Sequence, residues 1–234
     1  MIPKIIYQTF YTNQLPSEVC NSINRMLSLN SDYKYEFYDD NTMREFIQNN
    51  FDEKTLICFD SLNVGAAKAD LWRYLILFKR GGIYLDMDSE IYGKLDKFIG
   101  SDDQCIVSRE GHYGKFVQWC LMFSPNHPIL EICIRRCLEN IEDKKITNII
   151  DLTGPTVFSD SINEYCKDLN IDVWSTNDLQ LNKMISDAGL SLRVYDKDYS
   201  GLCNFKGGFY PYLESYNIYN SKPRHWTQEK KIFS

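Results

Sequence analysis

No apolar run in this chain approaches the roughly 20 residues that cross a bilayer as a helix, so no integral membrane segment is expected. A basic excess is also missing. With 26 Lys and Arg against 32 Asp and Glu, the net charge is −6 and no basic stripe stands out, which argues against a nucleic-acid partner. The eight cysteines include no C-x-x-C pair and no zinc-like grouping; Cys133 and Cys137 share a helix face and read as a buried core pair. The start, MIPKIIYQTF, lacks the basic flank and apolar core of a secretory signal. Reduced thiols and a location in the cytoplasm or peripheral to a membrane are therefore expected. No repeat, low-complexity tract or Pro/Gly/Ser linker divides the chain.

What is present describes a folded protein. Hydrophobic residues make up 44% and charged residues 25%, and the 16 tyrosines and 13 phenylalanines argue against disorder. A length of 234 residues suits one domain, or one with a small subdomain. The elements alternate. Lys4–Phe10 reads as a buried strand, Ser17 caps a helix to Leu29, Lys34–Tyr38 is a second strand, and a helix follows to Asn49. This order favours an α/β sheet with ligands at the carboxyl ends of its strands. Further strands are expected in QCIVSRE, FVQWCLMFS, Asp172–Trp174 and Leu190–Tyr195. Helices are expected at Pro128–Asn140 and Val157–Leu169, with a tight loop at Asp151–Pro155.

The centre carries the chemistry. NVGAAKADLWRYLILFKRGG predicts a core helix ending at Gly81-Gly82, with Ala66, Asp70 and Arg73 on one face and Leu71, Leu75 and Phe78 on another. Ile83–Asp88 predicts a strand whose period of two turns Tyr84, Asp86 and Asp88 to one side. Two carboxylates there form an oxygen-rich pocket suited to Mg²⁺ or Mn²⁺. The triplet alone is uninformative: with 20 aspartates, about one or two D-x-D triplets arise by chance, and Asp196-Lys197-Asp198 is a second. That copy lies in a polar stretch and reads as a solvated loop. The first follows a buried strand and a helix bearing Asp70 and Arg73.

AAKADLWR followed by GGIYLDMD resembles the A-A-x-x-D-x-x-R and G-G-x-Y-x-D-x-D segments of glycosyltransferase family 32, the DXD sugar transferases. That family includes yeast-type α-1,6-mannosyltransferases, α-1,4-galactosyltransferases and capsule enzymes, and is similar in its core to clostridial glucosylating toxins. IPKIIYQTF resembles the family's opening I-P-K-I-I-H-Q-T-W, with Tyr7 for His and Phe10 for Trp. Leu152–Pro155 resembles its T-G-P loop, and Arg224-His225-Trp226 its late His/Trp motif.

The resemblance implies a GT-A-type single domain with a mixed central sheet. Residues up to about 100 would form a Rossmann-like nucleotide-sugar half, and about 101–234 an acceptor side with a C-terminal metal and diphosphate loop. It further implies a retaining transfer of a hexose from a nucleotide diphosphate sugar, UDP-hexose first and GDP-mannose second, to a glycan, glycolipid or protein hydroxyl. Mn²⁺ or Mg²⁺ would be held by Asp86, Asp88 and His225. Gln8, Thr9, Phe10, Tyr84, Lys222 and Trp226 would contact the donor, Phe10 by stacking on the base. Asp70, Arg73 and Asp86 would act at the reacting sugar, Arg73 also forking onto the diphosphate. The neighbouring Arg73 is expected to keep Asp70 ionised.

Two rival readings stand beside it. One is a haloacid-dehalogenase-like Mg²⁺-dependent phosphatase, whose pattern wants Thr or Val where Glu90 stands. The other is a sugar-nucleotide or glycan-binding module without turnover.

Overall fold

In the computed structural model, which describes residues 1–109, 114–170, 172–195, 209–210 and 232–233, the alternating elements build a six-stranded mixed sheet. Its strands are β1 (Ile5–Thr9), β2 (Lys34–Tyr38), β3 (Gly82–Leu85), β5 (Cys105–Ser108), β6 (Cys120–Phe123) and β7 (Arg193–Tyr195), ordered β2-β1-β3-β6-β5-β7. A separate antiparallel ribbon joins β4 (Glu90–Ile91) to β8 (Phe209–Tyr210). β1 pairs in parallel with β2 and β3, whereas β6 runs antiparallel to both β3 and β5. The carboxyl ends of β1, β3 and β5 therefore share one edge with the amino end of β6, and the site is assembled there.

Helix α1 (Ser17–Leu29) links β1 to β2, and α2 (Asp40–Asn50), α3 (Glu53–Ser61) and α4 (Gly65–Arg80) lead to β3. α5 (Pro128–Asp143), α6 (Ile149–Leu152), α7 (Pro155–Tyr165) and α8 (Asp178–Asp187) lie between β6 and β7. Strand alternation sends Tyr7, Tyr84, Leu121 and Phe123 into one core with Leu71, Trp72 and Leu75 of α4. The intervening Ile6, Ile83, Leu85 and Met122 pack on the other face with Met26 of α1. Both faces are covered, which explains why the strands read as unbroken apolar runs.

α4 sits almost wholly inside, so Asp70 and Arg73 are carried into the core and must find partners there. Lys79 and Arg80 complement its carboxyl terminus, and Gly81, with φ +63°, ends it. A Cβ on Gly82, whose φ is +110°, would come within 2.8 Å of the Ile5 carbonyl. Glycine there permits β1 and β3 to lie side by side.

The structure corrects four local expectations. Ser17 does not cap α1: Pro16 holds the cap position, and the Ser17 hydroxyl donates instead to Glu18 at 3.1 Å. The strand through the D-x-D stops at Leu85, because the chain turns at Asp86 and Ser89 N–H closes onto the Asp86 carbonyl at 3.0 Å. Asp172–Trp174 is a turn, since the Asp172 carboxylate accepts from Trp174 N–H and its carbonyl from the amides of Ser175 and Thr176. Asp151 and Leu152 belong to α6 and Pro155 starts α7, which ends at Tyr165, so only Thr153 and Gly154 join the two helices. Cys133 and Cys137 are buried in the core.

Candidate active site

Arg73 is the hub. Its Nη2 lies 3.1 Å from Asp70 Oδ1, one helical turn back, and 3.3 Å from Asp86 Oδ1 beyond the end of β3. Nη1 donates to the Gln118 carbonyl at 2.8 Å, Nε to the Ala69 carbonyl at 3.3 Å, and the guanidinium covers the Tyr84 ring at 4.5 Å. Every nitrogen of the fork already has a protein partner. Tyr84 adds its hydroxyl, donated to Asp86 Oδ1 at 2.7 Å, and burial pushes its own pKa well up, so it stays a neutral donor.

The backbone fixes the D-x-D turn. Asp86 N–H donates to the Trp119 carbonyl at 2.7 Å, and the Gln8 amide donates to the Asp86 carbonyl at 3.1 Å. Tyr35 hydroxyl in turn donates to Gln8 Oε1 at 3.1 Å. Gln8 thus lies beneath the turn, buried. Thr9 is buried as well, its hydroxyl 2.9 Å from the Met43 sulfur, while Phe10 packs in a small apolar group with Met87, Val19 and Phe37. The base-stacking candidate and the middle residue of the triplet therefore share one cluster.

Asp86 keeps 30% of its side chain open to solvent. Burial, and then repulsion from Asp86, push Asp88 up to about 7. Burial outweighs the Arg73 charge and lifts Asp70 to about 6, above the usual carboxylate range. Both groups hold protons more readily folded than unfolded. Their stabilising contribution is complete below about pH 4 and is lost as pH rises through about 6 and 7. Thermal melts without metal at about pH 5.5 and about pH 7.5 should show this loss in the wild type and a smaller one in Asp88→Asn. An equal change in both proteins would remove Asp88 from the account.

A hard cation fits this donor set. Two neighbouring carboxylates, that of Asp86 partly open to solvent, supply oxygen ligands, and a cation would take the place of the proton that burial favours on Asp88. No cluster of three ligating side chains occurs among the described residues. The third expected ligand, His225, lies outside the described residues, as do Lys222, Trp226, Arg224, Asp196 and Asp198.

Sequence reasoning assigned no role to Thr153, yet its hydroxyl donates to Asp70 Oδ2 at 3.0 Å. The readable signal was the T-G-P resemblance. Gln118, which contributes only its carbonyl to Arg73, left no comparable mark.

The mixed sheet, with its Asp–Arg–Asp chain and a D-x-D turn at its strand ends, agrees with the GT-A arrangement that the resemblance to the DXD sugar transferases implies. Residues 16–105 match the profile described as a glycosyltransferase sugar-binding region containing a DXD motif. Over 184 residues the chain is 32% identical to an uncharacterized glycosyltransferase of Acanthamoeba polyphaga mimivirus, covering 77% of this chain and 70% of that protein. The chain belongs to this DXD glycosyltransferase family, and the phosphatase reading falls.

Inositol phosphoceramide mannosyltransferase 3 of Schizosaccharomyces pombe is 40% identical over 98 residues, 42% of this chain and 27% of that one. The mannosyl phosphorylinositol ceramide synthase SUR1 of Saccharomyces cerevisiae is 35% identical over 99 residues. The chain thus spans 70% of the viral relative and about a quarter of these fungal ones. Among solved structures, the PaToxG glycosyltransferase shares the fold with a TM-score of 0.61 at 20% identity, over 81% of this chain and 79% of that one. The UDP-bound glycosyltransferase domain from the YGT toxin aligns with a TM-score of 0.50 at 8% identity, over 71% and 78%. Among the described residues no helix is long and apolar enough to cross a membrane.

Proposed function

We propose that the protein transfers a hexose from a nucleotide diphosphate sugar to an acceptor hydroxyl, with retention of anomeric configuration and with Mn²⁺ or Mg²⁺ held by Asp86 and Asp88. The observation that carries this reading is the Arg73 bridge, which ties buried Asp70 to Asp86 beside a D-x-D turn whose second carboxyl is driven toward protonation. Residues 1 to about 100 form the donor half in this reading. Residues from about 101 to 234 supply the acceptor side and a C-terminal loop, with Lys222, His225 and Trp226 near metal and diphosphate.

When bound, the cation supplies Lewis-acid neutralisation of the departing diphosphate. Asp70 and Asp86 accept from sugar hydroxyls and fix the donor's orientation. Arg73 places a positive charge beside the bond that breaks; its contacts favour holding both carboxylates over a direct fork on phosphate. Thr9 and Phe10 receive the base, and Gln8 supports the turn. The C1–O bond to the diphosphate breaks as C1 bonds to the acceptor oxygen on the same face. The acceptor's proton passes to a diphosphate oxygen.

The fungal relatives are named as mannosyltransferases of inositol phosphoceramide, which makes GDP-mannose the first donor to try and an inositol-phosphate-bearing lipid the first acceptor. UDP-hexoses form the second arm, supported by the UDP-bound toxin domain. Each donor should be incubated with Mn²⁺ and an acceptor panel, and the product's anomeric form read by NMR. Transfer from one nucleotide sugar with retention is the expected result. An inverted product, or a trapped covalent glycosyl-enzyme, would overturn the mechanism, and donor binding with neither transfer nor hydrolysis would leave a binding module.

A further inference from the structure

Thr153 stands at the two-residue junction between α6 and α7, far from the D-x-D in sequence, and is completely buried. Its placement is rigid. Its amide and that of Gly154 both donate to the Ile149 carbonyl, at 3.1 and 2.9 Å, and a Cβ on Gly154 would come within 2.8 Å of that same oxygen. The Thr153 carbonyl accepts from Tyr74 hydroxyl at 3.1 Å and from the Gln118 amide at 3.4 Å. With the backbone held at this many points, the hydroxyl has little choice of direction. It points at Asp70 Oδ2, while Arg73 takes Oδ1.

Resting on the transferase reading above, we propose that Thr153 is a positioning residue, whose hydroxyl orients the Asp70 carboxylate and keeps it an acceptor for the donor sugar. The charges and titrating groups around Asp70 show why a neutral donor matters. Arg73 and Tyr74 face it from α4, Tyr84 and Asp86 from the β3 side, and Cys137 from α5. Among these, Arg73 favours the ionised form, and burial and Asp86 oppose it. Thr153 adds a hydrogen bond that favours the carboxylate, and it does so from the acceptor side of the chain. The α6–α7 junction thereby couples that side to the sugar pocket.

The test compares Thr153→Val, nearly the same shape without the hydroxyl, with Thr153→Ser, which restores it. With saturating Mn²⁺ and the donor that the wild type uses, kcat/KM is followed from about pH 5.5 to about pH 8.5. In Thr153→Val the acid limb should move up by about one pH unit, a loss of roughly tenfold below pH 6 that shrinks to about twofold above pH 8. Thr153→Ser should follow the wild type, and melting curves show whether each variant folds. A pH-independent loss in Thr153→Val, or no loss at all, would overturn the role. An inactive wild type would instead overturn the transferase reading.

Discussion

Arg73→Lys is expected to lower kcat/KM by about 100- to 1000-fold, the range seen when one preorganised donor is removed from a reacting centre. Lysine keeps the charge but not the geometry. Arg73 serves two backbone carbonyls and two carboxylates from one plane while lying over the Tyr84 ring. An ammonium has three donors on a flexible stem and cannot span Asp70 and Asp86 while also reaching the Gln118 and Ala69 carbonyls. Because the side chain is only 6% exposed, the lost bonds are not replaced by water. The ammonium could not stay against both carboxylates, so the compensation that now opposes burial at Asp70 would weaken and shift that carboxyl toward its protonated form. The variant should therefore fail mainly in kcat, with a melting temperature lowered as well. Steady-state kinetics with the wild-type donor would decide it, and a loss below about fivefold would reduce Arg73 to a structural role.

Much of this arrangement was legible because each part obeys a local rule. The α4 pattern placed Asp70 and Arg73 on one face, and they form the ion pair that an i,i+3 spacing allows. Alternation correctly turned Tyr84 toward α4, while β1 and β2 read as strands within a residue of their ends. The same rule was carried too far beyond Leu85. Asp88 reaches the neighbourhood of Asp86 through a turn, which no periodicity announces. α3 and α8 are short and weakly patterned, and what marks them is a single cap, Asp52 accepting from Thr55 N–H and Asn177 from Gln180 N–H. The Asx turn at Asp172 imitates an apolar strand start in sequence, but its own carboxylate binds the backbone that a sheet partner would need. Contacts through backbone carbonyls, such as those of Gln118 and Asp86, leave no residue signature at all.

Asp88→Asn should have the other large effect: transfer lowered by more than about 100-fold, since a direct ligand should matter at least as much as the outer partners of metal sites. Folding should not suffer. Asp88 is held up at about 7 by burial and by Asp86, so a neutral amide relieves an unfavourable charge, and the metal-free variant should melt no lower than the wild type at pH above 7. Loss of activity with retained or raised stability is what a site strained for a ligand predicts.

The central claim, that the D-x-D at Asp86 and Asp88 holds a cation against a nucleotide sugar, is tested most directly by ligand-induced thermal shift. Wild type, Asp88→Asn and Asp198→Asn are melted with the wild type's donor, with and without Mn²⁺. A donor at 100 times its Kd adds about 2.7 kcal/mol to apparent stability, enough to resolve. The wild type and Asp198→Asn should show a shift that grows when Mn²⁺ is added, and Asp88→Asn should lose the Mn²⁺-dependent part. A full Mn²⁺-dependent shift in Asp88→Asn, or its loss in Asp198→Asn, would contradict the account.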